Sequence, residues 1–388
     1  MRRKTSIGRP RILFVTHDVT PYGASRSLQL LLHQLEGFEI DLVVPKYVLS
    51  FARMRENRKI FRKQDEVQIR KKFGSHIRFI YQSILDCDWM CYAASSAVKK
   101  NNVYAALEFI FGSIDKLYLR YIVWKNRYVV VHLNSTVLHR YASLTHGAKT
   151  IIHIREELKR PNQTEFVRDY QRCDGAIFID RPTFSSLACA SSVPNTILMN
   201  PFDMTDVYDY GVPDIDVDFR NRIVFGMFGQ INDFKGVSFV VEGFVRAQLR
   251  NAVLLIVGRG SRQYIDECRE KAGTAQNIYF IPEEEQIKKY YAVTDYIIRG
   301  DENLGMGRTI YEALYAGCGV VVPGKEDIFE VFFEYERFQD KVFDYSSRDF
   351  ESFTVALKCA NRKKDTEFFP VSNTETHGRS CRDFIMGL

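Results

Sequence analysis

The stretch Arg222-Ile-Val-Phe-Gly-Met-Phe-Gly-Gln-Ile-Asn-Asp-Phe-Lys-Gly236 sets the fold class. Arg222–Phe228 has the length and apolar run of a buried parallel strand, and Gly236–Leu249 continues as a helix. Between them the loop Gly229–Gly236 opens that helix, so backbone N–H groups and the Lys235 ammonium can meet an anion at the positive helix end. A diphosphate suits this pairing of charge and donors. Read alone, Lys235 is equally an ordinary loop lysine.

The alternation extends to both sides. Downstream, strands at Ala252–Val257, Ile278–Ile281, Tyr296–Ile298 and Gly319–Val322 interleave with helices at Tyr264–Ala272, Ile287–Ala292 and Thr309–Ala316. Upstream, Arg11–Thr16 is a strand, Ser25–Leu35 carries Leu28, Leu31, Leu32 and Leu35 at helical spacing, and Phe38–Pro45 completes a β-α-β unit. Further strands follow at Tyr128–Leu133, Thr150–Ile154 and Gly175–Ile179. Such units cross over right-handedly and place ligand-binding loops at the carboxyl ends of the strands. The expected class is α/β, with two doubly wound Rossmann-like domains, residues 1–202 and 203–388, facing an interdomain cleft. Acidic Asp203–Asp218, with Gly211 and Pro213, reads as the connection. In the polar tail after Ser346, Phe350–Cys359 is helix-compatible and could return to the first domain.

With 388 residues, 46% apolar and 13% aromatic, the chain can bury sizeable cores, which excludes disorder and collagen-like repeats. Its apolar runs fall short of the ~20 residues of a membrane span. The basic start lacks a secretory apolar region, so a cytoplasmic protein is expected. Eight scattered cysteines without a CxxC make neither a disulfide framework nor a zinc site. The net charge of +6 conceals an asymmetry: residues 1–202 hold 31 Lys+Arg against 17 Asp+Glu, and residues 203–388 hold 23 against 31. The basic half suits an anionic membrane or a polyanion. Within it, Lys46–Arg78 carries eleven Lys+Arg against three acids with apolar residues interspersed. That segment reads as an amphipathic surface helix, either a solvated face or a lipid-phosphate contact; no nucleic-acid-binding motif accompanies it.

Gly305-Met-Gly-Arg-Thr-Ile-Tyr-Glu-Ala313 is a second glycine-rich helix start. Arg308 in its first turn opposes the helix dipole unless an anion lies between them. Glu312, four residues on, faces the same side and suits either a ribose diol or a simple pair with Arg308. Gly258-Arg-Gly260, at a strand end, is a weaker signal.

In their order, Gly229–Gly236, Leu254–Gly258, Asn277–Ile281, Gly305–Ala313 and Ala316–Val322 resemble the C-terminal domain of glycosyltransferase family 4, the retaining group 1 nucleotide-sugar enzymes with the GT-B fold. Thr16–Leu32, His132–Ser135, His153–Glu156 and Asn200-Pro201 extend the resemblance over most of residues 11–324. The resemblance implies that Gly229 and Lys235 hold the donor diphosphate, helped by N–H groups of Gly305, Met306 and Gly307, and that Glu312 binds the nucleotide ribose. It places Gly23 and Ala24 near donor phosphate or acceptor, and His132 beside the transferred sugar. Asn134 falls on the acceptor side, and Arg155 and Glu156 join it there and His132 in the catalytic group. Two positions depart from the family pattern. Gln230 stands where the family has an arginine, leaving Arg259 or Arg308 to supply the charge, and Leu304 stands where the first glutamate of the paired-glutamate motif belongs.

The implied activity is retaining, metal-independent transfer of a sugar from a nucleoside diphosphate sugar to a hydroxyl of a glycan or lipid-linked acceptor, as in surface polysaccharide biosynthesis. No cofactor, metal or nucleic acid is expected. Two alternatives stay open: a nucleotide-sugar epimerase of the same fold, and a nucleotide-sugar-binding scaffold without turnover, suggested by Leu304 and Gln230.

Overall fold

The computed structural model describes the chain except at residues 1–8, 18, 20–22, 46, 50–60, 64, 84–101, 145–146, 157–163, 188, 285, 302–306, 325–333 and 365–369. Residues 1–201 together with 374–388 form one compact unit, and residues 202–373 form a second.

The first unit contains β1 (Arg11–Val15), α1 (Gly23–Gln34), β2 (Glu39–Pro45), β3 (Tyr47–Leu49), β4 (Phe61–Lys63), α2 (Glu66–Phe73), β5 (Ile80–Ser83), α3 (Asn102–Asn126), β6 (Val130–Leu133), β7 (Lys149–Ile154), α4 (Thr164–Tyr170), β8 (Gly175–Phe178), α5 (Arg181–Ser185) and β9 (Asn195–Ile197). Seven strands make one parallel sheet in the order β5-β2-β1-β6-β7-β8-β9. The central strands are apolar along their length because both faces are covered. Ile12, Phe14, Val130 and Ile151 face Leu28 and Leu31 of α1 and Cys381 and Ile385 of the C-terminal helix Thr374–Gly387. The residues between them, Leu13, Val131 and Ile152, face Leu119, Ile122 and Val123 of α3.

The second unit runs β10 (Ile223–Ile231), α6 (Val237–Ala247), β11 (Ala252–Gly260), α7 (Arg262–Ala272), β12 (Ile278–Pro282), α8 (Lys288–Val293), β13 (Tyr296–Ile298), α9 (Arg308–Tyr315), β14 (Gly319–Gly324), α10 (Tyr335–Phe338), β15 (Val342–Ser346) and α11 (Phe350–Cys359). Its parallel sheet has the order β12-β11-β10-β13-β14-β15. In both sheets the first strand lies centrally; the chain winds outward on one side and then on the other. This creates a switch point between β1 and β6 and another between β10 and β13, where loops leave neighbouring strands in opposite directions. At the second switch point the backbone is tightly packed. Gly236 has φ 67°, and a Cβ there would lie 2.0 Å from the Gly300 carbonyl oxygen. One strand over, a Cβ on Gly258 would lie 1.6 Å from the Gly229 carbonyl oxygen.

Three sequence expectations are corrected. Lys46–Arg78 is not one helix: Tyr47–Leu49 pairs antiparallel with Phe61–Lys63, and among the described residues only Glu66–Phe73 is helical, starting where the Asp65 side chain accepts from the Val67 N–H. Its charge is partly used internally. The Arg78 guanidinium donates to Asp41 Oδ2 at 2.7 Å and to Glu39 at 2.9 Å, and Arg70 pairs with Glu66. Asp203–Asp218 is not a free connection, since Met204 and Val207 are wholly buried within the second unit. Phe350–Cys359 also stays in the second unit, where Phe350 and Phe353 pack on Phe239 and the Phe353 ring occupies the space a Cβ on Gly243 would need. The part of the tail that joins the first unit is Thr374–Leu388.

Gly236→Ala combines a left-handed backbone with a collision against main chain that no rotamer can relieve. The expected cost is upward of about 2 kcal/mol, read as a lowered urea midpoint of the second unit. Gly211→Ala, also at positive φ but with nothing within 4 Å, should cost less.

Candidate functional site

Polar groups gather at the carboxyl edge of each sheet. In the second unit, β10 ends in a short 3-10 turn at Asp233–Lys235; the Asn232 side chain caps it by accepting from the Lys235 N–H at 2.9 Å. The Gly236–Gly300 contact brings this turn against the loop after β13, and there Lys235 Nζ donates to Asp301 Oδ2 at 2.9 Å. Asp301 is buried, and its other oxygen accepts from Arg299 Nε at 2.7 Å. Burial alone would raise the Asp301 pKa, but Arg299 and Lys235 outweigh it and hold the carboxyl below the usual carboxylate range. Lys235 itself keeps 43% of its side chain exposed.

Two helices begin at this edge, α6 after Lys235-Gly236 and α9 after Gly307, and their first N–H groups are the anion-binding ends of helix dipoles. Arg308 opens α9 and its Nε donates to Glu312 Oε1 at 2.8 Å; Tyr291 Oη donates to Glu312 Oε2 at 3.1 Å. Glu312 is therefore buried with both oxygens engaged. The Arg308 guanidinium also lies over the Phe202 ring, 5.1 Å from its centroid. Arg259 is exposed and stands beside Gln230 in the β10–β11 register; its Nη1 is 3.7 Å from Glu283 Oε2. Gly229 is exposed with φ 124°. Gly305 and Met306 lie outside the described residues.

In the first unit, Arg155 follows β7 and its guanidinium donates to Asn134 O at 3.0 Å, Asn134 Oδ1 at 2.9 Å and Asn200 Oδ1 at 2.5 Å. Asn134, just past β6, turns its Nδ2 to the Ala24 carbonyl at 3.2 Å, tying the first turn of α1 to the switch point. Gly23, exposed at φ 52°, starts that helix. Glu156 accepts from Ser135 Oγ at 3.3 Å. The structure thus joins Ala24, Asn134, Arg155 and Asn200 in one hydrogen-bonded group. His132 lies within the sheet instead, wholly buried, 4.7 Å from the Phe14 ring and 5.6 Å from the His153 ring, and neither of its ring nitrogens has a hydrogen-bonding partner among the described residues. Burial first, and then the Arg155 charge, push its pKa down to about 3 and lower that of His153 as well, so both rings are neutral.

Sequence reasoning missed Arg299, Asp301 and Tyr291. The signal for the first two was the charged pair in Arg299-Gly-Asp301, placed directly after a buried strand at the switch point. It also missed Asp115 of α3, buried beside a small cavity at the carboxyl ends of β1, β2 and β5 that Thr16, His17, Ser83 and Tyr118 also line. A second cavity, around Arg222, Gln248 and Asn277, opens at the amino ends of β10 and β12, away from these groups.

Residues 222–334 match the family described as glycosyl transferases group 1. Over 97% of the chain, the structure is similar to that of Anabaena Alr3699/HepE in complex with UDP and glucose (TM-score 0.62, 14% identity, 94% of that chain). It is also similar to the lipopolysaccharide outer core galactosyltransferase WaaB in its apo form, again over 97% of the chain (TM-score 0.61, 14% identity, 99% of that chain). Sucrose-phosphate synthase from Thermosynechococcus elongatus is comparable over 98% of the chain (TM-score 0.58, 11% identity, 95% of that chain). No curated protein matches by sequence. At these identities the likeness is one of fold, and that fold is GT-B.

Two outcomes follow from the buried charges. Replacing Asp301 with Asn leaves Arg299 without its carboxylate and should cost about 3 kcal/mol in urea unfolding at neutral pH. Because the folded-state pKa of Asp301 is depressed, the gap between wild type and variant should be full above about 3.9 and close as the pH falls through the lower folded value. For the histidines, the unfolded chain takes up protons below about pH 6.5 that folded His132 refuses until about 3. Stability should fall with pH over that window by about 1.4 kcal/mol per pH unit for each such ring. His132→Leu should remove one ring's share of the slope, measured as urea midpoints between pH 7 and pH 5.

Proposed function

We propose that the protein is a retaining glycosyltransferase that moves a sugar from a nucleoside diphosphate sugar to a hydroxyl of a glycan or lipid-linked acceptor in surface polysaccharide synthesis in the cytoplasm. The observation that carries this reading is the Lys235–Asp301 switch point. A half-exposed ammonium and the N-termini of α6 and α9 stand at neighbouring strand ends, within the segment that matches the group 1 family.

In this reading Lys235 exchanges its contact with Asp301 for the donor diphosphate, and Arg299 keeps the vacated carboxylate compensated. N–H groups at Gly305, Met306 and Gly307 complete the phosphate site, with Arg259 and Arg308 as further cations, and Glu312 offers an oxygen to the ribose. With the leaving diphosphate stabilised by these groups, the transfer needs no metal. The bond from the sugar's anomeric carbon to the diphosphate oxygen breaks. The acceptor oxygen then bonds to that carbon on the same face, and its proton passes to the departing phosphate oxygen. Arg155, Asn134 and Glu156 form the acceptor side, and Gly23 and Ala24 at the start of α1 approach the donor phosphate or the acceptor. His132 lies beneath this side, wholly buried and held uncharged by burial, so it contributes no charge to the site above it.

UDP is the first nucleotide to test, because the Anabaena structure contains it. Lys235→Ala and Glu312→Ala should each weaken nucleotide binding, Lys235→Ala by roughly 1.5–3 kcal/mol, by calorimetry; unchanged affinity in both removes the donor site from this edge. Product analysis by NMR should show the donor's anomeric configuration retained, and turnover should survive a chelator. Leu304 and Gln230 also leave a second reading, a nucleotide-sugar-binding scaffold, and tight binding without turnover on any acceptor would select it. Conversion of the nucleotide sugar without an acceptor would instead reveal an epimerase.

A further inference from the structure

We propose that α3 docks the protein on an anionic bilayer, its outer face lying in the membrane–water interface. The helix has two apolar faces where packing on the sheet requires one. Leu119, Ile122 and Val123 are buried against the core. Opposite them, Leu117, Tyr121 and Trp124 are 68%, 51% and 73% exposed, with Ile114 and Tyr118 exposed beside them. At 3.6 residues per turn these five fall within an arc of about 120°, one continuous stripe rather than scattered surface residues.

The composition of the stripe selects its occupant. Between Ser113 and Arg127 the one acid, Asp115, is buried, while Lys116 and Arg120 lie to one side of the stripe, Lys125 falls within its arc and Arg127 follows the helix end, all positively charged. Lys125 Nζ lies 5.6 Å from the Tyr121 ring centroid, and the Tyr121 and Trp124 rings are 6.3 Å apart. Tyrosine and tryptophan with apolar bodies and polar tips, bordered by cations, fit the depth at which acyl chains give way to anionic headgroups. A second copy is disfavoured, because an isologous contact would set these cationic flanks against each other. No described helix is long and apolar enough to cross a membrane, so α3 lies on the surface rather than through it. The basic segment Lys46–Arg78, for which the sequence left a lipid contact open, has Ser50–Ile60 outside the described residues, and two of its arginines, Arg70 and Arg78, are held in ion pairs.

The chain has two tryptophans, so Trp89→Phe leaves Trp124 as a site-specific reporter. In that variant, vesicles of phosphatidylcholine with phosphatidylglycerol should shift Trp124 emission to the blue, and brominated acyl chains should quench it. Phosphatidylcholine alone should do so far less, and salt should reverse the effect. Adding Arg120→Glu and Lys125→Glu, or Leu117→Asp, should reduce vesicle binding at least tenfold with the far-ultraviolet dichroism unchanged. If Leu117→Asp fails to fold, the charge-reversed variant and the reporter decide alone. Unchanged Trp124 emission on anionic vesicles overturns the proposal, even if the protein sediments with them, since another surface is then the anchor. So does equal binding to neutral vesicles, or a dimer in sedimentation equilibrium that Leu117→Asp dissociates. The readout is independent of sugar transfer, so turnover on a soluble acceptor tests the transferase reading separately.

Discussion

The loop after β10 presses on the loop after β13 with no side chain between them: Gly236 meets the Gly300 carbonyl closer than any Cβ would permit. That contact fixes the distance between two strand ends, and the chemistry of the second unit is arranged around it. Lys235 and Asp301 flank the two glycines, so their ion pair is a consequence of the backbone approach. A carboxylate that deep is sustainable only with more than one counter-charge, and Arg299, also buried, is the second. A cation that can leave a carboxylate without stranding it is suited to a ligand that arrives carrying its own negative charge.

The first unit solves the same topological problem with polar side chains. Its switch point is spanned by Asn134, which bonds the start of α1 through its amide nitrogen and the Arg155 guanidinium through its oxygens. Beneath that network lie His132 and His153, kept neutral partly by the same arginine. The upper layer is thereby cationic, while the lower layer is uncharged, with His153 Nδ1 3.3 Å from the Arg155 guanidinium.

The central strands were legible because a parallel strand covered on both faces is written as an unbroken apolar run, as in Arg11–Val15 and Ala252–Val257. Edge strands carry a weaker mark: half-buried β12 is predicted from its apolar run, whereas β5 and β9, also half-buried, are not among the predicted strands. The helix starts at Gly236 and Gly307 were legible from their glycines, whereas Asp301 was not, since a buried acid acquires meaning only once topology supplies its partners. Charge counting was silent for the converse reason: it registered the cations of Lys46–Arg78 without showing that Arg78 belongs to Asp41.

The C-terminal helix has a bearing on how the molecule is made. Cys381 and Ile385 complete the core beneath α1, Gly378 packs on Gln34, and Lys149 donates to the Leu388 carbonyl. The first unit to leave the ribosome therefore lacks a piece of its own interior until the whole second unit has been translated. During that interval the apolar flank of α1 has no lid, while the second unit, continuous in sequence, can fold at once. The order of synthesis is thus the reverse of the order of completion, and a nascent chain arrested before Thr374 would offer chaperones the α1 face of the first sheet.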